Sequence, residues 1–140
     1  MPYRTSEEGN ETTLLAEGTS YSQVFQDGAA GLFSLMFDIE KVRGDKRVDI
    51  VVDAKNIDAL FTAWLKGLLE RKDINQMVFS EFSVATIQKV SDTQYLLTAA
   101  AYGEDYDPAK HTIKKQVKEI KVSSCQGADK KYMCQSVVIA

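Results

Sequence analysis

The sequence predicts an α+β fold in which two helices pack on a mainly antiparallel sheet. Three observations predict it: helical spacing of apolar residues near 20–37, the same spacing again near 56–72, and a strand-rich pattern in most of what remains. Two helices set among sequential strands favour helices covering one face of an antiparallel sheet over a parallel β-α-β arrangement. The 140 residues, 44% hydrophobic and 26% charged, suit one domain, 1–140, with a single core.

Thr12, Thr13, Leu14, Leu15 and Ala16 form a short β-leaning stretch, closed by Glu17-Gly18-Thr19-Ser20. Ser20 with Gln23 three residues on has the pattern of a capping box, so the first helix is expected to start there. Tyr21, Phe25, Ala29, Leu32, Phe33 and Met36 then recur on one face. Gly28 and Gly31 each weaken a helix by roughly 1 kcal/mol relative to Ala, which is tolerable where another element approaches closely. Arg43-Gly44-Asp45-Lys46 reads as a turn, and Arg47 to Val52 as a strand.

Asn56 is placed to cap the second helix, whose apolar face is Ile57, Leu60, Phe61, Trp64, Leu65, Leu68 and Leu69. Trp64 is read as core, and Arg71 and Lys72 fall where cations complement the helix dipole. Strands are expected at 77–79 running into 82–87, and at 94–102, with Ser91-Asp92-Thr93 turning between the last two. Gly103 to Pro108 reads as a loop. The stretch 113–122 fits a helix by Ile113, Val117 and Ile120, and a strand by Ile120 and Val122. Tyr132 to Val138 is the final β-rich run.

A net charge of −3 argues against a general nucleic-acid coat, which needs a dense basic field to displace phosphate counter-ions, and leaves direct nucleic-acid binding open. Lys110, Lys114, Lys115, Lys118, Lys121, Lys130 and Lys131 nevertheless crowd the last third, as a positive face or as solvated strand and loop lysines. No apolar run is long enough to span a membrane, and polar residues follow Met1-Pro2-Tyr3-Arg4, so a soluble cytoplasmic protein is expected. Cys125 and Cys134 lack the nearby histidines of a zinc site. They flank a turn-like segment, so they can face each other across a hairpin; reduced thiols are expected in a cytoplasmic protein.

His111 is the one histidine, and no Ser or Cys has an identifiable base beside it, so nucleophilic catalysis has little support. It is read as a loop histidine bonded to a backbone carbonyl. No phosphate-cradling glycine loop is present. A metal-dependent hydrolase would need converging ligands plus a base, and the chain offers only carboxylates. Glu7, Glu8 and Glu11 form an oxygen-rich cluster of the kind that suits Ca²⁺ or Mg²⁺, although without a calcium-loop spacing; solvated glutamates are the competing reading.

Several motifs share one frame. Tyr3, Glu7, Gly18, Phe25, Ala29, Leu32, Phe33, Met36 and Asp38 follow in order, then Leu60-Phe61-Thr62-Ala63-Trp64-Leu65-Lys66-Gly67-Leu68-Leu69. Gly103, Glu104, Tyr106, Asp107, Pro108 and His111 come next, followed by Val117-Lys118-Glu119-Ile120. This order resembles the archease family along nearly the whole chain. The resemblance implies an α+β accessory protein rather than a complete enzyme. Its implied partners are a GTP-dependent tRNA-splicing ligase, whose guanylylation and turnover it promotes, or a tRNA cytosine methyltransferase, with a bound metal contributing to the activating surface.

The departures fall where the implied activity lives. Glu8 and Glu11 stand where the family has His and Asp, and Thr13 where it has Gly. Ala63 replaces an acidic residue, Lys66-Gly67 an Asn-Glu pair, and Val137 to Ala140 end the chain in place of a terminal Asp-Ile. The ligand set carried over is Glu8, Glu11 and the α-carboxylate of Ala140, with Ca²⁺ or Mg²⁺ expected to bind weakly or not at all. The alternative is an interaction scaffold that kept the fold and lost metal-dependent activity.

Overall fold

The computed structural model describes residues 3–140. It opens with a hairpin, β1 (Tyr3–Glu8) and β2 (Glu11–Gly18), of which the sequence showed only part of the second strand. Gly9 and Asn10 make the turn. Gly9 has φ +63°, the first central position of a two-residue turn whose twist matches its strands.

Helix α1 (Tyr21–Met36) begins as expected, with Ser20 Oγ accepting from the Gln23 N–H at 3.1 Å. The Gln23 side chain reaches one residue further back than a capping box requires, accepting from the Thr19 N–H and hydroxyl at 3.0 Å. Helix α2 (Ile57–Asn75) is capped by Asn56 Oδ1 on the Ala59 N–H at 2.8 Å. It runs three residues past the expected 72 and stops where Gln76 turns left-handed, at φ 51°.

The other strands are β3 (Lys46–Ala54), β4 (Met77–Ser91), β5 (Gln94–Asp105), β6 (Glu119–Ala128) and β7 (Lys131–Ile139). They form two sheets, ordered β1-β2-β7-β6 and β3-β5-β4, antiparallel throughout. Each helix touches both: α1 packs on β2, β7 and β4, and α2 on β6, β3 and β5. The two antiparallel sheets thus flank the helices, where the sequence reading had one sheet.

Segment 113–122 resolves against the helix: Ile113 is exposed, Ile120 is buried, and β6 starts at Glu119. The presumed loop at 103–108 is strand as far as Asp105. The core is built on Trp64, Phe25, Phe33, Phe61, Phe79, Leu14 and Leu97. Gly28 and Gly31 do mark close approaches: a Cβ on Gly28 would lie 2.6 Å from the Phe61 ring, and one on Gly31 2.6 Å from Leu14. Cys125 and Cys134 sit directly opposite each other in β6 and β7. They are joined as a disulfide, which corrects the expectation of reduced thiols: the register brings their Cα atoms to 4.1 Å.

Candidate functional site

The β1–β2 register sets Glu8 opposite Glu11, and Glu7 opposite Thr12. Side chains alternate along a strand, so Glu8 and Glu11 share one face of the sheet while Glu7 projects from the other. There Glu7 joins Tyr3, Thr5, Ser34, Lys114 and Lys115 around a cleft of about 360 Å³. Strand β7 sets Ile139 opposite Glu11, and the Ala140 N–H donates to Asn10 O at 2.9 Å. The three positions singled out in the sequence, Glu8, Glu11 and Ala140, therefore do meet at one end of the four-stranded sheet.

Two lysines from far along the chain arrive at the same end. Lys121 Nζ donates to Glu11 Oε1 at 2.9 Å, and Lys115 ion-pairs with Glu7. The hydrogen bond to Glu11 pushes the Lys121 ammonium above its ordinary value. The sequence reading missed both pairs, whose partners stand 110 and 108 residues apart with no local signal linking them. With Lys110 on Glu104, three of the seven clustered lysines are matched by carboxylates from earlier in the chain, which disfavours the positive-face alternative.

These residues do not fit a divalent cation. One face carries two glutamates, one of them already held by an ammonium, and even with the α-carboxylate of Ala140 at the same end this falls short of the about six to eight oxygens that Ca²⁺ takes. Among the described residues, no three His, Cys, Asp or Glu side chains gather in a metal-binding arrangement. Asp38 pairs instead with Lys41 at 3.6 Å.

The Gly103 to His111 motif acts as a structural clasp. The Glu104 carboxylate accepts from Lys110 Nζ at 2.8 and 2.7 Å, from the Arg43 N–H at 3.0 Å and from His111 at 3.1 Å. His111 Nδ1 accepts the Asp107 N–H at 2.9 Å, so Nε2 carries the proton given to Glu104. This corrects the reading of His111 as a donor to a backbone carbonyl: the ring is buried, bridges a backbone N–H and a carboxylate, and stacks on Tyr106. From this clasp the chain runs to Lys114, whose N–H donates to Met36 O at 2.7 Å, placing the basic segment beside the hairpin.

Lys110, then the Arg43 N–H and His111, hold the Glu104 carboxyl down from 4.5 to about 2. A carboxyl lowered on folding stabilises above its unfolded value, and that contribution disappears as pH falls from about 4.5 toward 2. Urea melts across that window should therefore show Glu104→Gln less stable than wild type at neutral pH, with the gap closing on acidification. A gap independent of pH would refute the assignment.

Fold and tip together define a class: a small α+β domain with two helices between antiparallel sheets and charged side chains from remote segments gathered at one end. The model of the Archease protein family (MTH1598/TM1083) matches residues 3–139. Protein archease of Pyrococcus furiosus is 35% identical over 103 residues, 74% of this chain and 71% of that one. Protein archease of Methanosarcina mazei is 28% identical over 118 residues, 84% and 80% of the two chains. The solution structure of Methanobacterium thermoautotrophicum protein 1598 superposes with a TM-score of 0.85 at 21% identity, covering 99% of each chain, and shares the fold. The chain belongs to the archease family. Among the described residues no helix is long and apolar enough to cross a membrane.

Proposed function

We propose that this chain is an accessory protein of RNA processing, acting on a protein partner and catalysing no reaction itself. The favoured partner is a GTP-dependent tRNA-splicing ligase, whose guanylylation it would promote; a tRNA cytosine methyltransferase is the second candidate. The observation that carries this reading is the family match across residues 3–139. The chemistry is compatible with it: both ring nitrogens of the one histidine are engaged in a structural clasp, on the Asp107 N–H and the Glu104 carboxylate. The contact surface in this reading is the end that gathers Glu8, Glu11, Ala140, Lys115 and Lys121, in a cytoplasmic setting. An interaction scaffold without this activity is the second reading, favoured by the lysine already seated on Glu11.

The test is ligase guanylylation from GTP with and without the purified chain. Stimulation by wild type and its loss in Glu8→Gln/Glu11→Gln is the expected result. Failure to stimulate the ligase, together with no effect on methyltransferase specificity, would reject the RNA-processing role in favour of the scaffold.

A further inference from the structure

The hairpin tip is gripped from both faces by ammonium groups. On the cleft side, Lys115 pairs with Glu7. On the opposite face, Lys121 is the residue skipped by the register shift between Ile120 and Val122, where β6 bulges against β7. A bulge leaves one residue unpaired and re-aims its side chain. Strand β7 lies between β6 and β2, so Lys121 reaches Glu11 across an intervening strand, a span of about 9.6 Å between backbones. Long lysine and glutamate side chains close that distance to 2.9 Å.

We propose that Lys115 and Lys121 are built-in counter-ions that fasten the β1–β2 hairpin to the 115–121 segment, in place of the divalent cation that the family resemblance implies. The cation half of this inference rests on reading the tip as the functional end; the tether itself does not. Because Glu7 and the Glu8–Glu11 pair lie on opposite faces, no single ion can collect all three carboxylates. Two ammonium groups already supply positive charge on both sides, so an added divalent ion would meet repulsion as well as too few oxygens. The pairs are partly exposed, which makes the tether sensitive to salt.

Two measurements on the intact chain test this. Calorimetric titration with Ca²⁺ and with Mg²⁺ should give no saturable binding, and neither ion should raise the melting temperature. Hydrogen exchange of the 3–18 hairpin should quicken roughly two- to tenfold in Lys115→Gln/Lys121→Gln, as for the loss of two exposed ion pairs. High salt should quicken wild type similarly, and adding Glu7→Gln/Glu11→Gln to the lysine variant should change little more. Circular dichroism and melting confirm that each variant is folded. Saturable divalent binding tighter than about 1 mM, or unchanged hairpin exchange in the folded lysine variant, would overturn the proposal. Neither readout involves a ligase or a methyltransferase, so failure of both enzyme assays beside a loosened, metal-indifferent hairpin would reject the functional reading and leave this one standing.

Discussion

Trp64→Ala is expected to lower the free energy of unfolding by about 3–5 kcal/mol, the range for deleting a fully buried aromatic side chain. The indole has no solvent exposure, donates to Phe25 O at 2.8 Å and meets the Phe82 ring edge-on at 6.4 Å. Its place on α2 is central, because that helix contacts both sheets and a void there weakens packing in two directions. Paired urea melts of variant and wild type measure the effect. A loss below about 1 kcal/mol would show that the site collapses around the deletion or that the ring is dispensable.

Gly103→Ala should also be severe, at or beyond the upper end of the roughly 1–3 kcal/mol typical of overpacking. A Cβ there would stand 1.9 Å from Val78 O and 2.9 Å from Phe79 Cα, both backbone atoms, so no side-chain rotation relieves the clash. The glycine sits in β5, the central strand of its sheet, beside the register shift of β4 between Phe79 and Glu81. That irregularity brings the neighbouring backbone over it, the situation in which a strand requires glycine. Denaturation monitored by circular dichroism would decide it, and near-wild-type stability would mean that β4 shifts freely. The motif that carries the family resemblance thus includes a residue required by backbone contact as well as the Glu104 clasp.

Much of this was legible along the chain because it is local. A cap is a side chain bonding three residues on, so Ser20 and Asn56 marked both helix starts, and apolar spacing placed Phe25, Phe33, Phe61 and Trp64 in the core. Alternation and turn residues located β3 and β5, while the charged β1, with most of its side chains exposed, had no apolar pattern to reveal it. The order of motifs was enough to suggest the family, which depends on residue identity and spacing rather than on contacts.

Pairing is where tertiary structure decided. A strand's sequence states which face it buries but not which strand lies beside it, so two sheets could not be told from one. Register then determined what sequence spacing could not: it put Glu7 on the opposite face from Glu8 and Glu11, brought Ala140 to Asn10, and set Cys125 against Cys134. The lysines that answer Glu7 and Glu11 come from more than a hundred residues away, positioned by the Glu104 clasp and by one bulge in β6. Local free energies select the elements; long-range packing selects their neighbours, and the charge pattern of the tip exists only once those neighbours are in place.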